Sequence, residues 1–197
     1  MLPSREEAER MIAFSEKMNP GKWGDHSRVT AECAEKIAVE CSTMEPDKAY
    51  IVGLLHDIGR RFGKSQFGHI VDGYNYMVDL GYDDVAKICL THSFPIKDIS
   101  TYIGNYDVPD HIVKAMDIKL SAMEYDDYDR LIQLSDCLAM PEGIVNISER
   151  MADVARRYGY YSDAKREANY RLKEYFEKKM NRNIYEVITD RQELWGL

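Results

Sequence analysis

An all-α fold is predicted by three observations. Apolar residues recur at intervals of three and four along nearly every segment. No run of period-two alternation is bounded like a strand. Helix start and stop signals punctuate the segments. The first helix opens on Ser4, with Glu7 three residues later as in a capping box, and runs to about Lys17 with Ala8, Met11, Ile12 and Ser15 on one face. The stretch "NPGKWGD" then breaks the chain. From about His26 to Cys41, the residues Val29, Cys33, Ile37 and Cys41 form one helical stripe. Pro46 suits the first turn of the next helix, and Gly59 lies near its end. A helix from about His69 to Leu80 stops at Gly81, and another starts at Asp83. "PDHIVKAMDIKL", "YDDYDRLIQLSDCLAM", "GIVNISERMADVARRYG" and "SDAKREANYRLKEYFEKKM" continue the pattern, and a short helix around Ile184 to Leu194 closes it. Ser93 to Pro109 is the least regular stretch and is expected as an exposed loop with room for a short helix. The expected organisation is one domain, residues 1–197, with a core at about 20–140 and a helical extension beyond about residue 142.

The length of 197 residues allows one sizeable core, and 45% hydrophobic with 30% charged residues suits a soluble globular chain. No apolar run approaches the roughly 20 residues that span a bilayer. The N-terminal "MLPSREEAERM" is charged and lacks an apolar signal core, so a cytoplasmic location is expected. Cys33, Cys41, Cys89 and Cys137 form no CxxC pair and are expected as reduced, small apolar residues. A net charge of −8 argues against a nucleic-acid-binding surface. It leaves room for a small phosphorylated substrate, because local cations or metal ions can reverse the field inside a cleft.

The stretch "GLLHDIGRRFGKS" passes from apolar to charged at His56 and Asp57. Of five histidines, His26 starts a helix, His56 ends one, His69 starts the next and His92 ends the one after. Helix ends share a rim in an antiparallel bundle, so these positions can converge. Asp136 sits in the apolar run "LIQLSDCLAM", where an ionised carboxylate is costly without a partner. Four imidazoles and two carboxylates exceed one tetrahedral zinc site and suit two metals, with Asp57 able to bridge them. Taken singly, each of these residues is more often a cap or a core residue than a ligand; the set raises the odds. His111 reads as an ordinary first-turn residue.

An isolated His, an adjacent His-Asp pair closing an apolar helix, and a distant Asp in an apolar helix resemble the HD-domain superfamily of metal-dependent phosphohydrolases. The matching residues are His26, His56, Asp57 and Asp136, and "HDIG" is a common form of the motif. The segment from His69 through Gly73 to His92 resembles the part that supplies two further histidines in binuclear members. The resemblance implies an HD-type helical bundle over about residues 20–140. It implies one metal on His26, His56, Asp57 and Asp136, and a second on Asp57, His69 and His92. Ser93 stands where many binuclear relatives carry another His, which leaves the subfamily open. Arg60 occupies a position where the family often has lysine, and a guanidinium can bind two phosphate oxygens. Arg61 and Lys64 add charge beside it as further candidate substrate contacts, unless the three simply form a solvated helix end. Arg28 is expected to brace the site through a carboxylate. The implied activity is hydrolysis of a phosphate ester or anhydride of a nucleotide or similar small metabolite, by metal-activated hydroxide attack on phosphorus, with Asp57 and Arg60 as catalytic residues. Two divalent ions, iron, manganese or another transition metal, are the implied cofactors. Two alternatives share these ligands: a binuclear-iron oxygenase that cleaves a carbon–phosphorus or carbon–carbon bond, and a regulatory module that binds a nucleotide without turning it over.

Overall fold

Residues 1–189 are described in the computed structural model, and they form ten α-helices, two short 3-10 segments and one two-stranded ribbon. Helix α1 (Arg5–Met18) is capped by Ser4, whose Oγ accepts the Glu7 N–H at 3.2 Å. The Glu7 carboxylate does not return the bond to the cap; it accepts the Tyr82 hydroxyl at 2.8 Å. Helix α2 (Trp23–Glu40) starts ahead of the expected His26, which places His26 inside its first turn. It is the axis of the fold: α3, α7, α9 and α10 all pack on it. Helix α3 (Pro46–Leu55) has Pro46 in its first turn and is buried continuously from Ala49 to Leu55, the signature of a central helix.

Two chain reversals then build the site. A 3-10 segment (Ile58–Phe62) follows α3 and lies against α4 (Gly68–Asp79), which pairs with α5 (Asp83–Thr91). The first contact requires glycine at position 59. A Cβ there would stand 2.0 Å from the His69 carbonyl oxygen and 2.4 Å from the Gly73 nitrogen. Only backbone meeting backbone brings the end of α3 this close to the start of α4.

After the loop with its 3-10 turn (Ile99–Thr101) come α6 (Asp110–Ala122) and α7 (Asp127–Asp136), the latter opened by an Asp126–Asp129 capping box. The sequence pattern extends the helix to Met140 and starts the next at Gly143; the chain instead forms a ribbon of β1 (Ala139–Met140) and β2 (Gly143–Ile144). The physical reason lies at Pro141, which disfavours helix at the residue before it, and at Gly143, which adopts φ 139°. Helix α8 (Ile147–Tyr158) begins with an Asn146–Glu149 capping box and ends on left-handed Gly159. Helices α9 (Asp163–Met180) and α10 (Ile184–Ile188) follow, and the rest of the final predicted helix lies outside the described residues.

The main core draws Ile12, Ile37, Leu54, Leu131, Phe176 and Ile188 together from six helices. A second cluster of Phe67, Ile70, Leu90, Phe94 and Leu120 fastens α4, α5 and α6 beneath the long loop. All four cysteines are free and buried. No helix among the described residues is long and apolar enough to cross a membrane.

Candidate metal centre

Every candidate ligand stands at a helix end. His26 lies in the first turn of α2, His56 caps α3, Asp57 follows it, His69 opens α4, His92 caps α5, and Asp136 closes α7. These ends converge. Ligand atoms of His26, His56 and Asp57 lie within 4.8 Å of one another, and so do those of Asp57, His69 and His92. Asp57 is thus common to both sets, with Oδ1 3.0 Å from His69 Nε2 and 3.7 Å from His92 Nε2. The imidazole centroids of His26 and His56 are 5.3 Å apart, and those of His56 and His92 5.0 Å. Asp136 belongs to neither set. Its Oδ1 lies 3.0 Å from His26 Nε2 and is also held by Arg150 at 3.1 Å.

The chain aims these rings deliberately. His56 Nδ1–H donates to the Gly53 carbonyl at 2.7 Å, His92 Nδ1–H to that of Cys89 at 2.9 Å, and His69 Nδ1–H to that of Gln66. A carbonyl can only accept, so the proton is on Nδ1 in all three and the Nε2 lone pair is left to face Asp57. The last turn of each preceding segment therefore fixes a tautomer as well as a direction.

The electrostatics suit a cation. Burial pushes the His92 imidazole down to about 3, helped by its neighbour His56; His26 and His69 are lowered for the same first reason. Burial alone would raise the Asp57 carboxyl, but Arg60, His69 and His56 outweigh it and hold it well below the usual carboxylate range. Asp136 is likewise raised by burial and brought well below its ordinary value by His26 and Arg150. Neutral imidazoles beside ionised carboxylates are the protonation states that ligate. His56 Nε2 and Asp57 Oδ1 are buried without a hydrogen-bond partner, though these residues are only 1% and 3% exposed. Unpaired buried acceptors of this kind are costly unless something binds them. The donor set therefore fits a divalent metal.

The centre opens into a cavity of about 440 Å³, within the usual range for small-molecule sites. Arg60 lines it, with Nε donating to Asp57 Oδ2 at 2.5 Å and one Nη only 3.5 Å from His69 Nε2. Arg61 and Lys64 do not line it. Arg61 turns away to the Tyr76 hydroxyl and the Met18 sulfur, and lies 4.3 Å over the Tyr76 ring; Lys64 is exposed. The charge after "HDIG" thus splits between two faces of the 3-10 segment. Arg28 pairs twice with Glu16 of α1, at 2.8 and 2.6 Å, which ties α1 to α2 behind the site.

Polar residues that no sequence motif marks also line the cavity, among them Gln133 of α7, Arg150 of α8 and Lys165 of α9. Arg150 reads in sequence as the polar face of an amphipathic helix, and Lys165 as part of a solvated charge run. Their position follows from how α8 and α9 dock, which periodicity does not report. Burial pushes the Lys165 ammonium down to about 8, against the pull of Asp136.

A family model described as HD domain matches residues 23–140. No curated protein and no solved structure matches the chain. The match begins at the first residue of α2 and ends at β1, so it takes in all six candidate ligands and leaves out α1 and α8 to α10. It covers more than half the sequence, and with the His/Asp cluster in place the chain belongs to the HD-domain family, whose members are mostly metal-dependent hydrolases.

Proposed function

We propose that this protein is a binuclear metal-dependent phosphohydrolase acting on a phosphate ester or anhydride of a nucleotide or similar small metabolite. The observation that carries this reading is the sharing of Asp57 between two ligand sets on the wall of a partly cationic cavity. One metal would be held by His26, His56, Asp57 and Asp136, the other by Asp57, His69 and His92. Divalent ions there would supply Lewis acidity toward a water and a phosphoryl oxygen.

The chain's own residues have separate tasks. Arg60 faces the cavity beside Asp57 and offers its outer guanidinium nitrogens to a phosphoryl oxygen as charge builds on it. Arg150 fixes the Asp136 carboxylate through Oδ1 and the backbone oxygen, so that it turns toward His26. The apolar wall of α3 behind His56 keeps water from the back of the site.

The test is phosphate release from a panel of phosphate esters and anhydrides by protein reconstituted with manganese or iron, with oxygen uptake followed in parallel. Phosphate release without oxygen consumption is expected. Oxygen consumption coupled to turnover, or silence across the whole panel, would reject the reading.

A further inference from the structure

Five lysine and arginine residues line the cavity: Lys22, Arg60, Arg150, Arg157 and Lys165. Four already have a carboxylate. Lys22 pairs with Glu142 at 2.5 Å, Arg60 with Asp57 at 2.5 Å, Arg150 with Asp136 at 3.1 Å, and Arg157 with Asp153 at 2.8 Å. Lys165 is different. Among the described residues it has no carboxylate within ion-pair distance, although it is only 9% exposed. The one hydrogen bond of its ammonium runs from Nζ to the Ser93 carbonyl at 2.8 Å, next to the candidate ligand His92. An ammonium has three N–H donors, so two are left on the cavity side. The carboxylate that pulls on it most, Asp136, is already paired with the Arg150 guanidinium at 3.1 Å.

A buried, unpaired ammonium is destabilising unless an anion meets it. Gln133 stands in the same wall with a matching irregularity. Its Nε2 donates to the carbonyls of Thr91 at 3.0 Å and Phe94 at 3.2 Å, which fixes the amide, and its Oε1 is buried without a partner. One unpaired cation and one unpaired acceptor therefore flank the His92 turn, and both line the cavity.

We propose that Lys165 binds a second oxyanion of the substrate, apart from the phosphoryl group that reacts beside Asp57 and Arg60. This deepens the phosphohydrolase reading and rests on it for the role of the first phosphoryl group. The substrate class narrows to compounds with two anionic centres, such as a diphosphate, a bisphosphate or a phosphorylated carboxylic acid. The contact comes from α9, outside the residues that the family match covers.

Two measurements test it without relying on turnover. In the metal-free protein held in chelator, inorganic pyrophosphate should bind by calorimetry, and Lys165→Met should weaken binding by about 10- to 100-fold, as for loss of one charge-assisted hydrogen bond. Lys165→Arg should keep most of the affinity. In the unsubstituted protein, pyrophosphate should protect Lys165 from acetylation, read by mass spectrometry; this arm stands even if Lys165→Met fails to fold. Absence of pyrophosphate binding, equal affinity of the Met variant, or unprotected Lys165 would each overturn the proposal. With metal-loaded protein, Lys165→Met should raise KM for phosphoglycolate and for a nucleoside bisphosphate at least tenfold more than it changes KM for phenyl phosphate. Protein that hydrolyses phenyl phosphate but shows no such split refutes the second-anion site alone. Protein that binds pyrophosphate at Lys165 yet hydrolyses nothing refutes the phosphohydrolase reading alone.

Discussion

Asp57 carries more of the site than any other residue, because both ligand sets use it and Arg60 leans on it. Asp57→Ala should remove metal from both positions and abolish turnover, with elemental analysis giving the first and phosphate release the second. His69→Ala should weaken only the second position, since His69 is absent from the His26–His56 set. Equal loss at both positions in that variant would mean that the two sets are one site. Arg60→Ala should leave the metal content intact, because it removes a competitor for Asp57 Oδ2, yet lower the rate by about 10²–10³-fold, as for loss of one preorganised charge contact. A wild-type rate would assign Arg60 to bracing Asp57 alone. The candidate ligands were legible in sequence because imidazoles and carboxylates at helix ends are conspicuous in apolar surroundings. The cavity's remaining wall was not. Gln133, Arg150 and Lys165 acquire their meaning only when α7, α8 and α9 pack, and a lysine in "SDAKREANY" reads the same whether it meets solvent or a cleft.

At the scale of elements, the contact that brings His69 against Asp57 depends on Gly59. Gly59→Ala would place a methyl group inside van der Waals contact with the His69 carbonyl and the Gly73 nitrogen, and backbone cannot swing aside as a side chain can. We expect a loss of about 1–3 kcal/mol or more, typical of overpacking, together with weakened metal binding at the position that uses His69. Thermal unfolding and metal titration of the same variant measure both, and normal values in each would show that the 3-10 segment can retreat without cost. Most helix boundaries were legible because Pro46, Gly81 and Gly159 act locally. The end of α7 was masked: Cys137, Leu138 and Ala139 are buried whether the backbone is helical or extended, so apolar periodicity continued past the true end. Pro141 was the signal against it.

For the molecule as a whole, the titrating groups of the metal-free centre act in one direction. His26, His69 and His92 have folded values below the ordinary 6.5, so the unfolded chain takes up protons that the folded chain refuses. Their contribution is fully present above about pH 6.5 and drains away as pH falls below it, for His92 down to about 3. Asp57 and Asp136, held low when folded, contribute above about pH 4 and lose that contribution as acid titrates them. Thermal unfolding in chelator should therefore show a midpoint that falls steadily from about pH 6.5 and more steeply below about pH 4. A midpoint that is level or rises over that interval would mean that the imidazoles are not held neutral.

The grip on the turn around His92 has a consequence for the order in which the protein comes into being. The Thr91 and Phe94 carbonyls are held by Gln133, that of Phe94 also by the Tyr125 hydroxyl, and that of Ser93 by Lys165. During synthesis the last candidate ligand, Asp136, emerges before α9 has been made. A nascent chain arrested there would hold all six candidate ligands yet lack the ammonium that secures the Ser93 carbonyl. The site is complete as chemistry before it is complete as architecture, and the helix that finishes it contributes no ligand at all.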